Sequence, residues 1–225
     1  QGVWVFAEQH KGEVASVSLE LLGEGRKLAD KRKTKLSAVF LGSGIRAKAQ
    51  DLVAHGADVV YVADDPALKD FNDDAYAAVM ADLAQRHKPE IILAGATAIG
   101  RSFFPKVAST LYAGLTADCT VLDIDAATGH LHQTRPAFGG NIMATIMCDK
   151  FRPQMATVRP HVMHMPERRE GASGEIVPVS CPVREEEILS KVLEVINDRK
   201  GHDHVDVAAA DFIVSAGGII NIAGE

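Results

Sequence analysis

Ile91-Ile-Leu-Ala-Gly-Ala-Thr-Ala-Ile-Gly-Arg-Ser102 decides the fold. Four apolar residues without polar alternation describe a strand covered on both faces, and the small residues after them let the chain turn sharply into a helix. The same unit recurs upstream. Val3 to Ala7, Leu36 to Leu41 and Val59 to Val62 are further apolar strand candidates, and between the four lie Ser18 to Lys31, Arg46 to His55 and Asp73 to His87. These carry apolar residues at helical spacing, for example Leu21, Leu22, Leu28 and Ala29, or Tyr76, Val79, Met80 and Leu83, and Gly56 is placed to stop the second helix. Strands alternating with amphipathic helices predict an α/β fold, doubly wound and Rossmann-like, on a mostly parallel sheet.

After Gly114 the rhythm changes. Thr120 to Asp125, His130 to Pro136 and Ile142 to Met147 read as extended, with Ala127-Thr-Gly129 turning between the first two, which predicts an antiparallel extension of the sheet. Arg152 to Met165 reads as one more strand. Pro166 to Pro182 is polar with Gly and Pro, Glu185 to Asn197 has a helical apolar stripe, and Asp198 to Asp206 is a charged linker. Asp211 to Gly218 then has the form of a strand running into a glycine turn, as a new nucleotide-binding unit would open. The expected organisation is an α/β domain over residues 1–200, then a linker and the start of another domain over 201–225.

Composition limits the function classes. Thirty acidic against 24 basic residues, with the cations scattered, gives no stripe for nucleic acid. Three distant cysteines, Cys119, Cys148 and Cys181, form neither a disulfide framework nor a CxxC unit. No apolar run reaches the roughly 20 residues of a membrane span, and the first residues lack the pattern of a signal peptide, so a cytoplasmic location is expected. The histidine pairs His130 with His132, His161 with His164 and His202 with His204 each lack an obvious third ligand, so no metal site is expected. No nucleophile-bearing turn accompanies the Ser, Cys and His residues, so no catalytic residue is assigned.

Three stretches carry candidate binding chemistry. Gly95 to Ser102 could hold an anionic group on backbone N–H groups at a helix start, with Thr97, Arg101 and Ser102 adding donors; the alternative is that its small residues merely allow a tight strand-to-helix turn, since neither the dinucleotide fingerprint nor a Walker lysine is matched. Thr134-Arg-Pro-Ala-Phe-Gly-Gly-Asn141 combines a fixed cation, an aromatic ring and two glycines. Gly139 and Gly140 allow backbone to approach a flat ligand, Arg135 can donate to a carbonyl or developing anion, Phe138 can cover a ring and Asn141 both donates and accepts. A plain hairpin with Arg135 in a surface ion pair is the alternative. Arg152-Pro-Gln-Met-Ala-Thr-Val-Arg-Pro160 could line one polar surface through Gln154 and Thr157, or form an edge strand limited by its prolines.

These three stretches and Gly114-Leu-Thr-Ala-Asp-Cys-Thr120, occurring together, resemble the alpha subunit of electron-transfer flavoproteins over about residues 3–215. The resemblance implies a heterodimer with a beta subunit of similar first-domain fold, relaying electrons through FAD from NADH- or acyl-CoA-linked dehydrogenases. It places the subunit's own FAD in a second domain, of which only the opening near Asp211 is in this sequence. It turns Arg135, Phe138, Gly139, Gly140 and Asn141 toward an FAD or AMP held mainly by the beta subunit, and favours the anaerobic, electron-bifurcating type. The competing functions are a stand-alone adenine-nucleotide module using Gly95 to Ser102, with Thr97 and Arg101, as its phosphate turn, and a non-redox scaffolding domain.

Overall fold

The computed structural model describes residues 2–137, 139, 142–183, 192 and 194. The helix expected over Glu185 to Asn197, the linker after it and the strand near Asp211 lie outside the described residues. The chain divides into the units Gln1–Lys191 and Val192–Glu225, and everything below concerns the first.

Along the chain the first strand, β1 (Val3–Ala7), leads through a two-residue pair, β2 (Gln9–His10) and β3 (Glu13–Val14), into helix α1 (Ser16–Arg32). Then come β4 (Leu36–Gly42), α2 (Ala49–Ala54) behind a short 3-10 turn, β5 (Val59–Asp64), α3 (Asp73–His87), β6 (Ile91–Gly95) and α4 (Ala98–Thr110). The second half adds β7 (Leu115–Cys119), β8 (Val121–Ile124), β9 (Leu131–Pro136), β10 (Met143–Ile146), β11 (Gln154–Val158) and β12 (Glu175–Pro178).

Seven strands form one sheet in the order β12-β5-β4-β1-β6-β11-β7, and every neighbouring pair is parallel. Burial explains why these stretches are strands: β1, β4, β6 and β11 are buried at every position, as strands sandwiched between helices must be. The period of two then sorts side chains between two cores. Val3, Val5 and Ala7 face a core shared with Leu21, Leu22 and Leu28 of α1 and Leu52 of α2. Trp4 and Phe6 face the other, with Tyr76, Val79 and Met80 of α3 and Phe103 and Phe104 of α4. Phe103 is its centre, with ring centroids 4.7 Å from Phe6, 5.7 Å from Phe104 and 6.2 Å from both Phe71 and Tyr76.

Helix ends follow local chemistry. The Asn72 side chain caps α3 by accepting the Asp74 and Ala75 N–H groups at 3.1 Å. Asp73 and Asp74 sit in its first turn and Arg86 and His87 in its last, each sign at the dipole end that favours it.

The antiparallel strands are present, as a sheet of their own in the order β10-β9-β8. This arm is tied to the first core by buried Leu122 and Leu131 and by ion pairing of Lys31 with Asp123. Three sequence expectations need correction. Leu115–Cys119 is a strand of the main sheet, left unassigned because Asp118 and polar Thr116 break its apolar run. Glu175–Pro178, inside a stretch read as merely polar, adds parallel to β5 at the sheet edge, where one solvated face removes the continuous apolar signal. The strand expected over Arg152 to Met165 is only Gln154–Val158, and it is internal rather than an edge, because both prolines fall outside the ladder.

Candidate functional site

In an open parallel sheet, ligand chemistry gathers beyond the carboxyl ends of the strands, where successive connections leave in opposite directions. Here that reversal falls between β1 and β6, since the chain passes from β5 across β1 to reach β6. At this point the chain supplies its own anion. Glu8, directly after β1, is buried, and Thr97 Oγ1 donates to its Oε2 at 2.6 Å while His10 Nε2 lies 3.1 Å from Oε1. Thr97 Oγ1 also accepts the Gly100 N–H at 3.0 Å and so caps α4. The anion at this helix start is therefore an internal carboxylate. Gly100 is glycine for packing: an added Cβ would stand 1.9 Å from the Gly95 carbonyl oxygen.

The neighbouring edge, beyond β6, β11 and β7, is cationic. A bulge in β7 opposite β11, where the register shifts between Ala156 and Val158, turns Asp118 into the left-handed region at φ 62°. Its N–H donates to Thr157 Oγ1 at 3.0 Å, and its carboxylate takes Nη2 and Nε of Arg159 at 2.7 and 3.2 Å and Nη2 of Arg101 at 3.2 Å. Arg101 is braced from behind by its Nε donating to the Ala96 carbonyl at 2.8 Å. The Arg159 hydrogen bond, reinforced by the charges of Arg159, Arg101 and Arg135, holds the Asp118 carboxyl below the ordinary carboxylate range. Next to it, burial pushes the Cys119 thiol up to about 12, more than the charge of Arg135 pulls it down.

Arg135 stands on β9 opposite Ala144 of β10, beside a Thr134–Thr145 hydroxyl pair at 2.8 Å. Its Nε is buried and meets no acceptor among the described residues. Past β9, Ala137 N–H donates to the Ile142 carbonyl at 2.7 Å, closing the hairpin, and exposed Gly139 has φ 87° with open space where a Cβ would be. Phe138, Gly140 and Asn141 lie outside the described residues. Around this loop the arm is apolar and open: Ile142 is 65% exposed, with Met143, Met147 and Val121 about half exposed.

The sequence-predicted residues thus separate. Arg101 contacts Asp118 and Arg135 adds only its charge there, while Thr97 turns to Glu8. The two Arg-Pro pairs are at opposite ends of β11, and Gln154 and Thr157, three apart on a buried strand, face opposite sides instead of lining one polar surface. Gln154 Oε1 accepts the Leu131 N–H at 2.8 Å, under the arm. Asp118 and Glu8 were missed by sequence reasoning; the only signal for Asp118 was its place inside Gly114 to Thr120. A cavity of about 570 Å³ is at the amino end of the sheet, between Lys88, Glu90, Tyr112, Arg152 and Pro153, far from this cluster. Among the described residues no group of His, Cys, Asp and Glu could hold a metal ion, and no helix is long and apolar enough to cross a membrane.

What the described residues offer a flat ring is an edge: the Arg135 Nε without an acceptor and the open space at Gly139.

Fold and edge together define a doubly wound, Rossmann-like α/β domain with an antiparallel arm that carries Arg135 and presents apolar side chains outward. Residues 3–183 match the family model described as electron transfer flavoprotein domain, and the chain belongs to the electron transfer flavoprotein family. It is 47% identical over 215 residues to the electron transfer flavoprotein subunit alpha of Thermoanaerobacterium thermosaccharolyticum, covering 96% of this chain and 64% of that protein. It is 50% identical over 217 residues to protein FixB of Clostridium saccharobutylicum, with the same coverage. Acryloyl-CoA reductase electron transfer subunit beta of Anaerotignum propionicum is 41% identical over 239 residues, covering 96% of this chain and 65% of that protein. The chain therefore spans about 64% of the length of such relatives.

Proposed function

We propose that this chain is the first domain of an electron-transfer flavoprotein alpha subunit, and that its arm forms one wall of a flavin or AMP site held mainly by a beta subunit. The observation that carries this is Arg135: a fixed cation whose buried Nε has no acceptor among the described residues, at the foot of a hairpin that exposes apolar Ile142 and Met143. Exposed apolar side chains of this size on an outer strand suit burial against another chain. Arg135 then donates to the rim of a flat acceptor, Gly139 and Gly140 let backbone approach it, Phe138 covers it and Asn141 meets its polar edge.

FAD, when bound, supplies the one- and two-electron chemistry; this chain supplies charge and shape. A cation beside the ring favours its anionic reduced form and so raises its potential. We further infer that the complex passes electrons between NADH- or acyl-CoA-linked dehydrogenases and their acceptors, in the bifurcating manner of anaerobic systems. The relative named as an acryloyl-CoA reductase electron transfer subunit supports an acyl-CoA-linked partner.

The test is to co-purify the chain with and without a candidate beta subunit and record the visible spectrum and potential of the complex. A yellow complex is expected, and Arg135→Ala should lower the flavin's potential or occupancy while far-UV circular dichroism stays unchanged. A colourless complex, or identical potentials in both forms, would refute the flavin role.

A further inference from the structure

We propose that Arg101, Arg135 and Arg159 form a receptor for a phosphate-bearing anion, with Asp118 as its built-in counter-ion. Arg101 and Arg159 both contact this one carboxylate, and Arg135 adds its charge from β9, whose Thr134 carbonyl accepts the Thr120 N–H at 2.9 Å two residues past Asp118, so the four groups together carry two more positive charges than negative ones. Two other carboxylates border this edge, both buried: Glu8, bonded to Thr97 and His10, and Glu20, whose Oε1 accepts the His161 N–H at 3.3 Å.

The cluster is ordered before any ligand arrives. Asp118 is set by the β7 bulge and by its bond to Thr157, Arg159 is gripped through two of its nitrogens, and Arg101 is held between Asp118 and the Ala96 carbonyl. These contacts use only part of the donor set. Each guanidinium has five N–H donors, and the Arg101 and Arg159 side chains remain 58% and 45% exposed while Asp118 is 18% exposed. Arg101 and Arg159 therefore keep part of their guanidinium surface in solvent, while the buried Arg135 Nε has no acceptor among the described residues. Forked donors of this kind match the oxygens of phosphate, and a dianion matches the excess charge. Arg101 lies in the first turns of α4, whose amino-terminal dipole adds to the same field.

The site differs from the glycine turn in which a phosphate was first expected. There Thr97 is committed to Glu8; here Arg101 is turned the other way, toward Asp118. The inference also stands apart from the flavin reading, because it concerns binding by this chain without a partner.

The 225-residue chain, labelled with 15N, is titrated with inorganic pyrophosphate and separately with AMP, at low and at physiological ionic strength, following the arginine Nε signals and the heat of binding. The Nε signals of Arg101, Arg135 and Arg159 should shift together. Arg159→Gln and Arg101→Gln should each weaken binding by about tenfold, the loss of one charge-assisted contact, and Asp118→Asn should tighten it about threefold or more by removing the competing anion. Lys48→Gln, at a surface ion pair with Glu13, is the control and should bind as the unaltered chain does. Tighter binding of AMP than of pyrophosphate identifies a nucleoside monophosphate as the ligand, and the reverse a diphosphate. Absence of any shift at these three signals overturns the proposal, as does equal weakening in Arg159→Gln and Lys48→Gln, or weaker binding by folded Asp118→Asn. If Asp118→Asn does not fold, the signals of the unaltered chain decide alone.

Discussion

The central sheet and the antiparallel arm are built from strands of similar length, but they end in opposite conditions. In the sheet, β1, β4, β6 and β11 have no exposed residue, and their side chains are shared between two closed cores. In the arm, β10 exposes Met143 and Ile146 to solvent, while Gln133 of the middle strand is fully buried with neither amide atom partnered among the described residues. Both regions bury a few polar atoms without a partner among the described residues, such as Gln154 Nε2 of β11 and the Gln133 amide of β9; what sets the arm apart is that it also leaves apolar side chains in solvent. The closed cores therefore carry the domain's stability, and the arm's exposed apolar strand contributes little to it.

The largest effect should therefore come from the closed side. Phe103→Ala removes a fully buried ring that touches four other aromatics, and should cost about 3–5 kcal/mol in urea unfolding. Met143→Ala, half exposed on β10, should stay within about 0.5 kcal/mol of the unaltered chain. The same Met143→Ala should nevertheless weaken capture of a beta subunit. Equal losses of stability at the two positions would erase the distinction between sheet and arm.

Legibility in the sequence follows the same division. The doubly wound half could be read because strands buried on both faces are uninterrupted apolar runs and their helices carry a clear stripe, as at Tyr76, Val79, Met80 and Leu83. β7 and β12 escaped for opposite local reasons, a bulge carrying Asp118 and an edge position with one solvated face. Arg135 was legible as a residue because a cation, a proline, a ring and two glycines crowd eight positions. Its charged setting was not, since Asp118 meets Arg159 across 41 residues and Arg101 across 17. Nor could residue types alone reveal that Thr97 would spend its hydroxyl on Glu8, 89 positions away. Pairings of that kind depend on strand order, and the order β1-β6-β11-β7 is a property of the folded sheet.

A smaller change should sharpen the comparison from the arm's side. Gln133→Leu replaces two unpartnered buried amide atoms with hydrocarbon of similar size, so stability should stay level or rise by about 1 kcal/mol, where most core changes to a polar-bonded residue would lower it. The readout is the urea midpoint. A loss of more than about 1 kcal/mol would mean that ordered water satisfies Gln133 beneath the arm, which would then be as closed as the sheet.

The smallest effect lies in acid, at the seam between the two regions. Arg159 first, then the charges of Arg101 and Arg135, depress the native-state pKa of Asp118. Above about pH 5 the carboxylate is ionised in both the folded and the unfolded chain, and its contribution to stability is fully present. As pH falls further the unfolded chain protonates first, so the contribution fades and is gone once pH has passed below the native-state value. Asp118→Asn has no such group to titrate, so its urea midpoint should fall less between pH 5 and about pH 2 than that of the unaltered chain. Asp73 and Asp123, depressed by Lys106 and Lys31, still titrate in both forms and supply the common background. Because the arginines are half exposed, added salt should shrink the difference. Identical acid dependence in the two forms would show that the three arginines do not act on Asp118, and would leave the arm electrostatically separate from the sheet it grows out of.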